Sequence, residues 1–261
     1  MNSEGRTWPS MPPDSELTLV VPIHGNLEAT LRFLASYEAQ TRPSQLLFVD
    51  DRSPDDSVQV LRLRGYRVLE PPERLYFNGI LDLAIQSCRT RYLGVINNDL
   101  VLGRRFVQLA LESFERSSSD FLVPLTFEGV GLDPAELERP RPFRIRRLRR
   151  QQGWCMLFRT ASVRRLPRVP TDLKLWYGDS WLYHHAWAAG QRIGMMMHNP
   201  VIHERHATIR ADATFKAQGT HPIVEADKVV FDSKYRWVRT RHLGPWRLVP
   251  RWIRRRFLPF L

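Results

Sequence analysis

Short apolar runs alternate with amphipathic stretches along the first half of the chain. Five runs have the length and flanking turn residues of buried strands: Leu17–Val21, Gln45–Val49, Tyr66–Leu69, Arg91–Ile96 and Phe121–Leu125. Three intervening stretches have helical periodicity: Leu27–Ala39, Phe77–Ser87 and Arg104–Arg116. Strands that alternate with helices predict βαβ units, and therefore an α/β fold with a mainly parallel sheet flanked by helices.

Two capping signals predict where helices begin. Asn26 precedes the first helix and can accept a hydrogen bond from its first turn. Ser53 is followed by Pro54, an N-cap residue before a proline at the first helical position. This pair predicts that a second helix begins at residue 54.

The second half of the chain has a less regular pattern. Glu138–Gln152 is rich in Arg and Pro, which predicts a loop. Gly153–Arg159 has the apolar character of a strand, and Ser180–Ala189 is predicted as a helix that Gly190 ends. Two short strands are predicted at Ile193–Met197 and Pro200–His203.

Composition limits the class of protein. With 43% apolar residues, the 261-residue chain can bury a substantial core. Cys88 and Cys155 are far apart, which excludes a disulfide framework and favours a reducing compartment. The sequence has no pattern typical of a signal peptide and no apolar run of roughly 18 residues. We therefore expect a cytoplasmic protein with no transmembrane span, either soluble or peripheral at the inner membrane face.

The net charge of +12 comes from two segments. Arg139–Arg150, the arginine-rich segment, contains seven Arg and no acidic residue, and residues 233–261 contain nine Lys or Arg and no acidic residue. Local basic patches attract phosphates, whether of a nucleotide, a lipid headgroup or nucleic acid. The C-terminal segment also interleaves Arg with aromatic residues, which suits either a membrane interface or a nucleic-acid backbone.

Polar residues follow three of the predicted strands. His24 comes after the first strand, Asp50-Asp51 after the second, and Asn97-Asn98-Asp99 after the fourth. Each cluster alone is also typical of a turn or a helix cap. Because ligands bind beyond the carboxyl ends of parallel strands, their joint placement predicts a ligand site with oxygen atoms suited to a hard cation.

Three blocks of sequence resemble family 2 glycosyltransferases with the GT-A fold: Thr18–Asn26 (TLVVPIHGN), Phe48–Ser57 (FVDDRSPDDS) and Tyr92–Leu102 (YLGVINNDLVL). The resemblance implies a GT-A domain over residues 1–232 with a Rossmann-like nucleotide-binding sheet. Its nucleotide-sugar-binding half would span 1–125 and its acceptor and catalytic half 126–232. Residues 233–261 would form a basic, aromatic C-terminal extension.

The resemblance also implies donor and metal contacts. Pro22 and His24 would line the nucleotide pocket, Asp51 would read the base with Asp50 beside it, and Asn78 would lie near the donor. In the metal motif, Asn97, Asn98 and Asp99 would meet the donor, and Asp99 would bind the Mn²⁺ or Mg²⁺ that bridges its diphosphate. His203 or His206 would complete the metal shell, and the alternative is that the two are polar residues at the edge of the sheet. Asn98 replaces a common Asp, so we expect metal binding that depends on the donor.

The segment Trp176–Leu182 (WYGDSWL) resembles the family's Gly-Asp segment at a helix start. The resemblance makes Asp179 the general base, against a local interpretation as a helix N-cap. Trp154, Trp176 and Trp181 are candidates for stacking against sugar or base, although core packing accounts for at least one of them.

The arginine-rich segment falls where GT-A enzymes carry a mobile loop. Arg144, Arg146 and Arg147 there would clamp the diphosphate or bind an anionic acceptor, and a solvated loop is the alternative.

The function expected from these observations is metal-dependent, inverting sugar transfer from a nucleotide-diphosphate sugar to an acceptor hydroxyl. A lipid-linked or cell-surface glycan is the first candidate acceptor, and hydroxylated DNA bases, as in phage-type glycosyltransferases, are the second. The basic segments would serve either anionic partner, membrane or DNA. A nucleotidyltransferase is disfavoured because the loop after the first strand has a single glycine. A non-catalytic nucleic-acid-binding protein would tolerate replacement of Asp51, Asp99 and Asp179.

Overall fold

The computed structural model describes residues 15–129, 131–148, 152–204, 221–236 and 238. The strands are β1 Leu17–Ile23, β2 Gln45–Asp50, β3 Arg67–Leu69, β4 Tyr92–Ile96, β5 Leu100–Leu102, β6 Phe121–Glu128, β7 Ile145–Arg147, β8 Cys155–Arg159 and β9 Ile193–His203. The helices are α1 Leu27–Glu38, α2 Ser57–Leu63, α3 Tyr76–Ser87, α4 Phe106–Arg116, α5 Ala135–Glu138, α6 Thr160–Val163, α7 Gly178–Ala188 and α8 Pro222–Val230. A π-helical turn at Phe231–Tyr235 continues α8.

One sheet organises these elements, in the order β3-β2-β1-β4-β8-β6-β9-β5, with β7 paired to β9. β3, β2, β1 and β4 are parallel neighbours, as the alternating pattern predicts. β8 runs antiparallel to both β4 and β6, whereas β6 and β9 are parallel. The parallel part thus comes from the first half of the chain, and the second half completes a mixed sheet.

The core lies on both faces of the sheet. Alternation along β1 sends Leu19 and Val21 to the face covered by α1, α2 and α4, and Val20 to the face covered by α3, α6 and α7. Phe33 of α1 and Phe106 of α4 are fully buried on the first face. Burying both faces stabilises the sheet and leaves its carboxyl edge for polar residues.

The two capping predictions have opposite outcomes. Asn26 is the N-cap of α1, and its side chain accepts a hydrogen bond from the Ala29 amide at 3.3 Å. The predicted start at Ser53-Pro54 is wrong, because α2 begins at Ser57. Ser53 is used elsewhere: its hydroxyl accepts from the Gly25 amide at 2.8 Å and so joins the β2–α2 turn to the β1–α1 turn.

The second half corrects three further predictions. The predicted loop at Glu138–Gln152 contains the strand β7, and its first residue ends the short helix α5. The two short strands after residue 193 are one strand, β9, whose pairing with β6 shifts register after Pro124. β5 was not predicted.

The predicted boundary between residues 232 and 233 falls inside the π-helical turn. Phe231 and Val238 are buried together with Leu173, so the described residues beyond 232 pack against the domain. The rest of the predicted extension, residues 239–261, lies outside the described part of the chain. No helix in the described ranges is long and apolar enough to cross a membrane.

Candidate active site

A cleft of about 520 Å³ opens at the carboxyl ends of β1, β2 and β4. Ten of the residues predicted for the site line it: Pro22, His24, Asp51, Asn97, Asn98, Asp99, Trp154, Trp176, Asp179 and His203. These residues come from both halves of the chain. The cleft therefore brings the predicted base-reading, metal and general-base carboxylates into one space.

Asp51 is held by a network at one end of the cleft. Its Oδ1 accepts from the amides of Leu75 and Tyr76 at 2.7 and 2.9 Å, and its Oδ2 accepts from Arg74 Nε at 3.1 Å. Arg74 Nη2 also lies 2.9 Å from His24 Nε2, and His24 Nδ1 lies 2.9 Å from the Asp51 carbonyl oxygen. Because arginine only donates, Nε2 of His24 accepts and Nδ1 carries the hydrogen. This network holds Asp51, Arg74 and His24 in fixed positions on one polar wall of the cleft.

Asp50 has a different position from the one predicted. Its carboxylate accepts from the amides of Arg52 and Ser53 and does not line the cleft, so it shapes the β2–α2 turn. Asp55, which was not predicted, does line the cleft. It accepts from the Leu27 amide at 3.0 Å and from the Ser57 hydroxyl, and so ties α1 to α2.

Asp99 and His203 both line the cleft and lie next to each other. His203 Nε2 lies 3.4 Å from Asp99 Oδ1, and the two side chains are 5% and 4% exposed. Pairing of Leu100 with His203 between β5 and β9 brings them together. Trp154 stacks on the His203 ring at 4.9 Å, and its indole N–H donates to Thr126.

The chemistry of this pair fits a divalent metal held jointly with a donor. Neither ring nitrogen of His203 has a hydrogen-bond partner within the described part of the chain, although both are buried. A buried imidazole with that geometry can serve as a ligand beside a carboxylate. No cluster of three or more His, Cys, Asp or Glu suited to a metal occurs among the described residues, and His206 lies outside them.

Asn98 lines the cleft, but its side chain also has a structural contact. Its amide nitrogen donates to the Thr30 hydroxyl at 2.9 Å, which ties the metal motif to α1.

Asp179 lies in the first turn of α7 and faces the cleft. It is not the N-cap, because Tyr177 occupies that position with a left-handed φ of 67°. Its Oδ1 accepts from the Ser180 amide at 2.7 Å, and its side chain lies against Gly153, where an added Cβ would be 3.3 Å away. Burial raises the pKa of Asp179 above the ordinary carboxyl value. A raised pKa suits a carboxylate that must take up a proton.

Asn78 has a structural position that corrects the predicted donor contact. It is completely buried and does not line the cleft. Its amide nitrogen donates to the carbonyl oxygens of Leu173 and Trp176 at 3.0 and 2.9 Å, and its backbone N–H donates to Lys174. Asn78 therefore holds residues 173–177, which we name the wall loop.

The three predicted tryptophans separate into two groups. Trp154 and Trp176 line the cleft, and Trp176 is 42% exposed. Trp181 lies behind it, packed against His185 and Tyr235, with its indole N–H directed at the Pro167 carbonyl. The core-packing interpretation holds for Trp181.

The predicted arginine clamp lies away from the cleft. Arg144, Arg146 and Arg147 do not line it. Arg146 pairs with Met195, and the pairing of β9 with β6 places Met195 and His203 opposite Val123 and Glu128, which are separated by roughly 17 Å of strand. These side chains lie apart from the cleft because β7 joins the end of β9 away from His203, and their contact with the diphosphate stays a prediction.

Besides Asp55, sequence reasoning missed Arg74 and His221 in the cleft. Arg74 follows a pair of prolines and no local pattern marks it, since its role depends on the fold of residues 71–76. His221 lines the cleft and caps α8, where its Nδ1 accepts from the Ile223 amide at 3.3 Å. A His before a Pro at a helix start is a detectable capping signal.

The family model for glycosyl transferase family 2 matches residues 18–165. This match spans more than half of the chain, so the protein belongs to glycosyl transferase family 2 and is a glycosyltransferase. A search of curated protein sequences gives no match.

Solved structures with similar folds include those of TarS and GalNAc-T7. S. aureus TarS 1–349 has 14% sequence identity to this chain, and the aligned region covers 92% of this chain and 77% of TarS 1–349. The TM-score is 0.59 for this structure and 0.58 for the same protein in complex with UDP. GalNAc-T7 with UDP, GalNAc and Mn²⁺ has 11% identity, 94% and 52% coverage and a TM-score of 0.63. The GT-A fold that the resemblance implied is confirmed.

Proposed function

We propose that this glycosyltransferase moves a sugar from a uridine-diphosphate sugar to an acceptor hydroxyl, with inversion at the anomeric carbon. The observation that carries the proposal is the arrangement of Asp51, Asp99 and Asp179, which come from three separate elements and line one cleft. UDP in the TarS and GalNAc-T7 structures supports the choice of nucleotide.

The base would bind beside Asp51 and Arg74. A uracil ring presents one N–H between two carbonyl oxygens, which matches a carboxylate acceptor next to a guanidinium donor. Arg74 already donates to Asp51 and His24, so its direction is fixed before the donor arrives. The same wall would bind cytosine less well, because cytosine lacks that N–H.

Asp99 and His203 would hold a divalent metal, Mn²⁺ or Mg²⁺, together with the donor diphosphate. When bound, the metal would neutralise charge that develops on the departing diphosphate. Two protein ligands leave several positions for phosphate oxygens and water, as hard cations prefer. Mn²⁺ in the GalNAc-T7 structure supports this assignment.

Asp179 would act as the general base. The acceptor oxygen attacks the anomeric carbon as its proton passes to the Asp179 carboxylate, and the bond from that carbon to the diphosphate oxygen breaks with its electron pair. The direct displacement inverts the anomeric carbon. The raised pKa of Asp179 makes the carboxylate a stronger base than an exposed aspartate.

The acceptor we propose is the hydroxyl of a lipid-linked or cell-surface glycan. Trp176 supports a sugar acceptor, because it is 42% exposed at the cleft and presents an apolar ring to a sugar face. The exposed arginines of β7 would bind an anionic surface away from the reaction.

A thermal-shift screen with Mn²⁺ tests the donor. We expect UDP and UDP-sugars to raise the melting temperature more than CDP, GDP or ADP do. Failure of every nucleotide diphosphate to stabilise the protein would contradict the proposal. Binding to anionic vesicles and to duplex DNA across a salt series then separates the acceptors: a steep salt dependence and sugar incorporated into DNA would favour DNA instead.

A further inference from the structure

The wall loop is clasped from two sides by polar side chains. Asn78 of α3 binds its carbonyl groups, and Asp227 of α8 binds its amide groups. The Asp227 carboxylate accepts from Lys174 N, Leu175 N and Trp176 N at 2.8, 2.7 and 2.8 Å. Asp227 is 1% exposed, so these three bonds form in a dry setting where charge-assisted hydrogen bonds are strong.

The loop held in this way leads directly into the cleft. Trp176 and Tyr177 line it, and Asp179 follows two residues later. Tyr177 has a left-handed backbone with a φ of 67°, which is strained for a residue with a bulky side chain. Phe231 stacks on the Tyr177 ring at 4.2 Å and helps to hold that conformation.

The helix that carries Asp227 also reaches the cleft. Its cap, His221, lines the cleft, while Asp227 and Phe231 contact the wall loop from behind. α8 and the π-helical turn therefore brace the side of the cleft that carries Trp176 and Asp179. The Asp51–Arg74 side has no contact with Asp227 among the hydrogen bonds of the described residues.

We propose that Asp227 is a positioning residue of the transfer reaction, which fixes the wall loop and thereby the placement of Trp176 and Asp179 toward the bound donor. The inference rests on the proposed function. The inference assigns α8 to the acceptor side of the site. Loss of the Asp227 carboxylate should therefore impair turnover of the donor and leave binding of the nucleotide intact.

Asp172 offers a matched control. It lies just before the wall loop and also bonds to the π-helical turn, accepting from Lys234 Nζ at 2.8 Å and from the Tyr235 hydroxyl at 2.9 Å. Asp172→Ala removes a carboxylate that joins the same two segments without touching the amides of residues 174–176. This variant therefore distinguishes the general attachment of the π-helical turn from the three hydrogen bonds that Asp227 accepts from the wall loop.

The experiment compares the full-length wild type with Asp227→Ala, Asp227→Asn and Asp172→Ala. UDP affinity is measured by calorimetry, slow hydrolysis of UDP-sugar by UDP release, and amide hydrogen exchange by mass spectrometry. We expect Asp227→Ala to lower kcat for hydrolysis by about tenfold or more, because small displacements of a catalytic group are costly. KM for the donor and UDP affinity should stay within about twofold, with faster exchange in residues 174–176.

Asp227→Asn keeps one acceptor oxygen and should rescue part of kcat, whereas Asp172→Ala should resemble the wild type. Equal kcat for Asp227→Ala and Asp172→Ala, or protected amides at 174–176 in Asp227→Ala, would overturn the inference. Parallel loss of kcat and UDP affinity in Asp227→Ala would also overturn it, by indicating general destabilisation. A wild type that binds no UDP would instead refute the proposed function. The exchange data would still show whether Asp227 protects the amides of residues 174–176.

Discussion

His203 Nε2 lies 3.4 Å from Asp99 Oδ1, although the two residues come from different halves of the chain. Antiparallel pairing of β5 with β9 sets Leu100 opposite His203, and stacking on Trp154 fixes the imidazole plane. A buried carboxylate and a buried imidazole are thus held together before a donor binds. This arrangement is the basis on which we propose metal-dependent donor binding.

Removing either member of this pair should remove the effect of metal on UDP binding. We expect Asp99→Asn and His203→Gln each to weaken UDP binding in Mn²⁺ by about tenfold or more, as loss of a metal contact typically does. Calorimetry with Mn²⁺ and with a chelator measures the difference. His198→Gln is the control, because His198 is also buried on β9 but contacts Ser113 and Arg144 instead. Undiminished Mn²⁺-dependent binding in His203→Gln would refute the assignment.

Arg74→Lys should weaken binding of UDP and reduce the preference for UDP over CDP. Lysine keeps the charge but cannot donate to Asp51 and His24 in the fixed geometry of a guanidinium. We expect a loss of about 1.5–3 kcal/mol in UDP binding, the usual cost of a charge-assisted hydrogen bond. Calorimetric titrations with UDP and CDP measure both effects.

Arg52→Lys is the matched control, because Arg52 is near in sequence but donates to the Pro72 carbonyl and does not line the cleft. Equal UDP affinity in Arg74→Lys and Arg52→Lys would contradict a role for Arg74 in base recognition.

The sequence predicted the parts of the fold and site that depend on local pattern. Apolar runs and the polar clusters after them located β1, β2 and β4 and the carboxylates Asp51 and Asp99. Arg74 escaped prediction because its partner Asp51 is brought near only by the folded chain. Arg146 was misplaced because nothing local shows that β7 pairs with Met195 and not with the end of β9 near His203.

Asn78 and Gly178 should show strong energetic coupling. A Cβ added at Gly178 would lie 2.1 Å from Asn78 Oδ1, far inside contact distance. We expect Gly178→Ala to destabilise the fold by about 2 kcal/mol or more, in the range of overpacked sites. In the Asn78→Ala background the same change should cost much less, because the colliding amide is gone. Urea unfolding of the single and double variants measures the cycle. Additive losses would show that the two positions do not collide.

Asp179→Asn should raise stability at neutral pH. Burial raises the folded-state pKa of Asp179 above 3.8, so ionising the carboxyl costs folding free energy. That cost is absent below the unfolded-state pKa and develops as the pH rises through the folded-state pKa. Thermal unfolding should therefore give a higher Tm for Asp179→Asn than for the wild type at pH 7, with the difference shrinking toward pH 3.5.

Asp172→Asn supplies a comparison of opposite sign. Burial alone would raise the pKa of Asp172, but hydrogen bonds from Lys234 and Tyr235 outweigh burial and lower it. Its contribution to stability is present at pH 7 and is lost as the pH falls through the lowered pKa. Asp172→Asn should thus melt below the wild type at pH 7. A lower Tm for Asp179→Asn as well would contradict the burial argument.

The most direct test of the central claim compares UDP binding with donor turnover in the wild type and Asp179→Asn. If Asp179 takes the acceptor proton, the variant should bind UDP with Mn²⁺ as tightly as the wild type and lose turnover by about a hundredfold or more, within the range for a general base. Turnover near the wild-type rate in a variant that still binds UDP would contradict the account.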